Sequence, residues 1–211
     1  MDFPRYTRGE IAADAAIHAA GIGFALIGGP ILLGFVAARG ETGAIVAISI
    51  YVATLIAMFA LSASYNLIPF PQAKEWLRRL DHSTIYLKIA GAYTPFAAVS
   101  IGGLVGNMLL GAVWMAAVIG IVLKVLFPRR FEILSLVLYL AMGWAAVAVA
   151  PDIASSVEFP TLVLLLVAGG LYSLGVVFHL WASLPFHNAI WHLFVLCATA
   201  VLYAGIAVEF A

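Results

Sequence analysis

A small set of side chains in this 211-residue chain could bind an ion, carry a proton or build a hydrogen-bonded network inside an otherwise apolar sequence. They are Asp14, His18, Ser62, Asn66, Asp81, His82, Lys88, His179, His187, Asn188 and His192. Helical geometry sorts them. Asp14 and His18 are four residues apart and share a face, as do Ser62 with Asn66 and Asn188 with His192. Asp81 and Lys88 are seven apart, two turns along one stripe. His187 and His192 are five apart, about 140° around a helix at roughly 100° per residue, so an unbroken helix does not easily offer both to one ion. Ionisable groups at membrane depth cost about 2.5–3.5 kcal/mol each at mid-helix and mark sites. Taken singly, each histidine is explained by an interfacial polar belt, where side chains reach for the headgroups. Taken together, the set points to a polar cavity opening at one membrane face. Lys88 lies deeper than Asp81. It requires either a carboxylate or carbonyl partner, or a role as a ligand or proton site.

The elements that must position these groups are transmembrane helices. About 65% of the residues are hydrophobic and 9% charged, against roughly 25% charged in a soluble domain. A span needs about 20 apolar residues. Near-continuous, alanine-rich runs predict seven, over 12–38, 43–68, 80–101, 107–127, 132–150, 160–180 and 186–210. A barrel strand would alternate instead. The whole of 1–211 therefore reads as one seven-helix transmembrane domain of the all-α class. Connections are short. The longest of them, 69–79, carries Trp76 and Leu77 and suggests a brief interfacial segment. The stretch 151–159 reads as a loop.

Basic residues set the orientation. Arg5, Arg8, Lys74, Arg78, Arg79, Lys124, Arg129 and Arg130 fall on one side of a seven-helix topology and Arg39 alone on the other. The N-terminus is thus expected in the cytoplasm, and Ala211 outside, in a multi-pass protein of the inner cell membrane. A six-helix reading leaves the first apolar segment unexplained. On this topology all five histidines, with Asp14, Ser62, Asn66, Asp81 and Asn188, lie toward the cytoplasmic leaflet. The net charge is zero, and nothing suggests a nucleic-acid surface. The one cysteine, Cys197, cannot form an intrachain disulfide. The opening MDFPRYTRGE lacks the apolar core of a signal peptide. Glycines at 21, 23, 28, 29, 169 and 170 allow close helix approach.

Three blocks carry a resemblance. They are Leu61-Ser62-Ala63-Ser64-Tyr65-Asn66; Leu80-Asp81-His82-Ser83-Thr84-Ile85-Tyr86 with Ala90-Gly91-Ala92-Tyr93-Thr94-Pro95-Phe96; and Leu171-Tyr172-Ser173-Leu174-Gly175 continuing to Ala189-Ile190-Trp191-His192-Leu193-Phe194-Val195. In this order they resemble the hemolysin III family, within the progestin and adipoQ receptor superfamily, over most of the chain. The resemblance implies a seven-helix bundle with its N-terminus inside. It also implies a zinc site near the cytoplasmic face, built from a Ser-x3-His pair on helix 2, an Asp on helix 3 and a His-x3-His pair on helix 7. Zinc suits three imidazoles plus a polarised water.

Ser62 and Asp81 match and are the candidate catalytic residues; His192 matches as a metal ligand. Asn66 and Asn188 stand at the other two ligand positions, and an amide oxygen is a poor zinc ligand beside imidazole. His187, His18, His82 or His179 could substitute if the bundle brought one close; His187 would need a π-bulge to turn inward. The expectation is a degenerate site with no tightly bound metal, zinc if any, its place taken by a hydrogen-bonded network. Three functions compete: a hemolysin III-like protein of membrane and lipid homeostasis, a zinc-dependent hydrolase of a lipid amide, and a pore-forming cytolysin or channel. Membrane lipids are the expected partners, and whether the chain is an enzyme stays open.

Overall fold

Apolar runs of 22 to 32 residues form the long helices of a computed structural model that describes residues 6–211. Arg5, counted above for orientation, lies outside the described residues. The helices are α1 (Arg8–Arg39), α2 (Thr42–Leu67), α3 (Pro71–Pro95), α4 (Gly103–Leu126), α5 (Glu132–Gly143), α6 (Ala150–Ser156), α7 (Phe159–Leu180) and α8 (His187–Phe210). A π-helical turn (Phe96–Ile101) continues α3, and a 3-10 segment (Ala145–Val149) joins α5 to α6. There is no strand among the described residues. Six helical stretches are long and apolar enough to cross a membrane, with Glu132–Ser156 as one of them. The remaining rod, third along the chain, is α3 with its π turn, which is less apolar because its first turns are polar.

Two boundaries differ from the sequence expectation. The third helix starts at Pro71 rather than 80, so the connection shrinks to Ile68, Pro69 and Phe70. A proline in the first turn loses no helical hydrogen bond. The polar turns after it are held from outside: Lys74 Nζ donates to the Tyr65 carbonyl, and Arg129 Nη2 donates to Glu75 Oε2 at 3.0 Å. The fifth rod is broken, and 151–156 is helical rather than loop. Pro151 has no N–H for the carbonyl four residues back. Tyr93 repairs the break upstream, where its hydroxyl donates to the Gly143 carbonyl at 2.9 Å and accepts from Ala146 N–H at 3.0 Å. Backbone groups freed inside a bilayer require such partners. Pro95 similarly precedes the π turn, which closes through Gly102 N–H on the Ala97 carbonyl at 3.1 Å. The one π segment among the described residues is there; His187 simply begins α8 after Phe186 in the left-handed region (φ 61°).

The main core joins α1, α2 and α8 through Leu32, Val36, Ile48, Tyr51, Leu55 and Ile206, with Phe96 closing it from the third rod. Two of the noted glycines explain the close approach: Gly21 packs on the Phe59 ring, and a Cβ on Gly29 would stand 2.6 Å from Val52 Cγ1. Gly23 and Gly170 face open space, so packing does not account for them. Leu104, Ile133 and Phe159 are more than three-quarters exposed on the outer surface, a distribution that suits lipid and not water. The chain is a multi-pass membrane protein. One end gathers Arg8, Lys74, Arg78, Arg79, Lys124, Arg129 and Arg130; the opposite end has Arg39.

Candidate functional site

The buried stripe of α1 runs Asp14, His18, Gly21, Ala25, Gly29, Leu32 and Val36. Helical periodicity therefore points the first two toward α2 and α8 at the basic end. Both are almost fully buried, at 6% and 3% exposure. His18 Nδ1 donates to the Asp14 carbonyl at 2.8 Å and lies 3.5 Å from Asp14 Oδ2. A carbonyl only accepts, so Nδ1 carries the proton. In the neutral ring, Nε2 then accepts from the Ser62 hydroxyl at 3.2 Å. From α8, His192 Nδ1 donates to Asp14 Oδ1 at 2.6 Å, and its ring meets His18 edge-on, centroids 4.5 Å apart. Asp14 thus fixes two imidazoles, His18 through its carbonyl and His192 through its carboxylate. Ligand atoms of Asp14, His18 and His192 all lie within 4.8 Å of one another. One carboxylate and two imidazoles make a donor set of the kind found in catalytic zinc sites.

The two asparagines lie next to this cluster. Asn66 Nδ2 donates to the Ser62 carbonyl at 2.9 Å, and Asn188 Nδ2 donates to Asn66 Oδ1 at 3.3 Å. Their amides are spent on α2 and on each other. The expectation of no tightly held metal rested on these two positions, and the cluster uses neither.

Asp81 is not joined to the cluster by a hydrogen bond; its Oδ2 lies 3.6 Å from His82 Nδ1. His82 donates to the Arg78 carbonyl at 2.8 Å and faces Tyr65. His179 packs on Trp191. His187 packs on Tyr6, and its Nδ1 is buried without a hydrogen bond. Of the four possible substitutes, His18 alone is brought to His192. Asp14 is the member that sequence reasoning did not rank among the ligands. Its signal was the four-residue step to His18.

A cavity of about 20 Å³ opens beside the cluster, lined by Tyr6, Glu10, Asp14, Asn66, Phe186 and Asn188. That is room for about one water, which needs roughly 10–15 Å³. Tyr6 guards it. Burial, with smaller contributions from Tyr65, Asp14 and Glu10, pushes its phenol up to about 12, so it stays protonated and able to donate. Glu10 Oε1 accepts from Phe186 N–H at 3.0 Å, tying the start of α1 to the start of α8.

Lys88 belongs to a separate group. Its Nζ donates to the Tyr172 hydroxyl, and that oxygen shares a 2.6 Å hydrogen bond with Thr199 Oγ1. The carboxylate or carbonyl partner expected from sequence is replaced by a neutral hydroxyl: Asp81 lies two turns, about 10 Å, along the same helix, while α7 and α8 bring Tyr172 and Thr199 to Lys88.

The sequence comparisons agree with one another. The profile of the family described as "Haemolysin-III related" matches residues 12–203. "Hemolysin-3" of Bacillus cereus is 36% identical over 194 residues, 92% of this chain and 89% of the relative. "Hemolysin-3 homolog" of Bacillus subtilis (strain 168) is 36% identical over 198 residues, 94% and 93% of the two chains. The human "Monocyte to macrophage differentiation factor" is 31% identical over 166 residues, covering 74% of this chain and 67% of that protein.

Proposed function

The chain belongs to the haemolysin III-related family, and on that premise we propose that it serves membrane-lipid homeostasis through a zinc centre held by Asp14, His18 and His192. The observation that carries the reading is the convergence of these three buried side chains to within 4.8 Å. Bound there, zinc would supply Lewis acidity and lower the pKa of a coordinated water. The chain's own groups fit hydrolysis of a lipid amide. Ser62 places a hydroxyl on His18, and the adjoining cavity has room for a water. The basic end faces the cytoplasm by the positive-inside rule, which puts the centre at the inner leaflet of the cell membrane. A pore is disfavoured by the packed middle of the bundle, where Ile48, Tyr51 and Leu55 are fully buried.

A second reading has its own support. The hydrogen bonds from His192 to Asp14 and from Asn188 to Asn66 can close the site as a metal-free network. Elemental analysis after mild chelation separates the two. One zinc per chain is expected, lost in Asp14→Asn and His18→Ala and kept in Asn66→Ala and Asn188→Ala. Zinc absent from the unmodified protein but present in the double variant Asn66→His, Asn188→His would overturn the proposed ligand set and favour the network.

A further inference from the structure

The end of the bundle opposite the Asp14 cluster holds a larger cavity, of about 220 Å³, lined by Arg39, Glu41, Ser100 and Glu209 among others. These groups come from the end of α1, the start of α2, the π turn and the end of α8. Glu209 is positioned by two donors: the Ser100 hydroxyl at 3.4 Å and Glu158 N–H at 3.1 Å. Arg39 and Glu41 are exposed, and neither side chain makes a hydrogen bond or ion pair among the described residues. The cavity therefore offers one guanidinium and two carboxylates of separate origin around a volume of headgroup size.

The charges select the ligand. A bare anion would meet Glu41 and Glu209, and a bare metal cation would meet Arg39. A molecule carrying an ammonium close to a phosphate satisfies all three. Guanidinium forks match phosphate oxygens, and a carboxylate accepts from an ammonium N–H. The cavity is about tenfold larger than the one-water cavity beside the Asp14 cluster, which leaves room for a group such as phosphoethanolamine with its eight or so non-hydrogen atoms.

A second feature ties the cavity to the bilayer. Arg39 continues a four-residue stripe on the outer face of α1 through Ile27, Ile31 and Phe35, which are 65%, 51% and 59% exposed. Side chains at this spacing lie one above another. An acyl chain lying along the stripe would bring its phosphate to Arg39. The acidic groups Asp152 and Glu158, also at this end, add a field that favours the ammonium.

We propose that the Arg39–Glu41–Glu209 cavity binds the headgroup of a phosphatidylethanolamine-type lipid, with phosphate on Arg39 and ammonium on Glu209 and Glu41. The site is separate from the Asp14 cluster and does not rest on its chemistry. The full-length protein, in micelles containing equimolar phosphatidylethanolamine, phosphatidylcholine and phosphatidylglycerol, is read by native mass spectrometry. Phosphatidylethanolamine adducts are expected to exceed the other two about fivefold or more. Phosphatidylcholine lacks the ammonium hydrogens, and phosphatidylglycerol lacks the positive charge. Arg39→Gln and Glu209→Gln should bring the three near parity. The amide introduced by Glu209→Gln retains an oxygen for Glu158 N–H. Glu41→Gln, at a side chain with no hydrogen bond among the described residues, guards against a folding defect. No preference in the unmodified protein, or a preference unchanged in all three variants, overturns the proposal. Free phosphoethanolamine distinguishes the sources: partial displacement of the lipid at millimolar concentration supports it, whereas tight binding of the free molecule without lipid enrichment overturns the lipid assignment.

Discussion

Replacing Lys88 with methionine should leave the protein as stable as before or more so, by up to about 2 kcal/mol. Lys88 is 3% exposed, and no carboxylate pairs with it among the described residues. A lysine at mid-helix costs about 2.5–3.5 kcal/mol on insertion scales. What offsets this is one hydrogen bond from a charged donor to the Tyr172 hydroxyl, worth about 1.5–3 kcal/mol. The Tyr172 ring, whose centroid is 4.2 Å from Nζ, is the same partner seen from its face and does not count twice. Methionine keeps the length of the stem and fills the space. Tyr172 then keeps its bond to Thr199, so no buried hydroxyl is orphaned. Tyr172→Phe is the contrasting variant. It strands the amine and should cost about 1.5–3 kcal/mol. Reversible unfolding in mixed micelles, by titration with a denaturing detergent, gives both values. If Lys88→Met lost more than about 2 kcal/mol, an anionic partner would have to lie near Nζ, and the neutral-hydroxyl account would fail.

Other perturbations test the frame around the site. A reporter fused after Ala211 should read as outside the cytoplasm and one inserted after Arg130 as inside; a cytoplasmic C-terminal reporter would invert the bundle and move the Asp14 cluster to the other leaflet. Gly120→Ala should destabilise by about 1–3 kcal/mol, since the added methyl meets the buried Tyr86 ring. Gly111→Ala, which faces open space, should be neutral or gain up to about 1 kcal/mol in helix propensity; equal melting temperatures for the two would refute this packing. Tyr93→Phe removes the partner of Gly143 O and Ala146 N and should speed amide exchange at Ala146 by tenfold or more, since about 1.4 kcal/mol is a factor of ten.

The long spans were legible because lipid demands unbroken apolar runs, and α1, α2, α4, α7 and α8 fall within a few residues of where those runs predict them. The early start of α3 was not legible. Its first turns, Gln72 to Arg79, look like a loop by polarity and are helical because the Tyr65 and Val125 carbonyls receive Lys74 and Arg79 while Glu75 receives Arg129 from outside. The break in the fifth rod was foreshadowed by Pro151, yet its repair depends on Tyr93, 53 residues from Ala146. The site was half legible. Each four-residue pair could be read from its own helix. Nothing in one sequence says that α1 and α8 touch, and so Asp14, which joins His18 to His192, could not be singled out as their common partner.

That joining has a consequence for how the protein is made. Asp14 and His192 are 178 residues apart, and a ribosome adds roughly 5–20 residues per second, so about 10–35 s separate the two on the growing chain. Ser62 and His18 both precede α3, but the three-residue cluster is not complete until α8 has been added. A nascent chain stalled after α7 holds its carboxylate and first imidazole in place with no second imidazole to complete them. The Asp14–His192 contact is thereby withheld from every partly synthesised copy and can form only once α8 has been made.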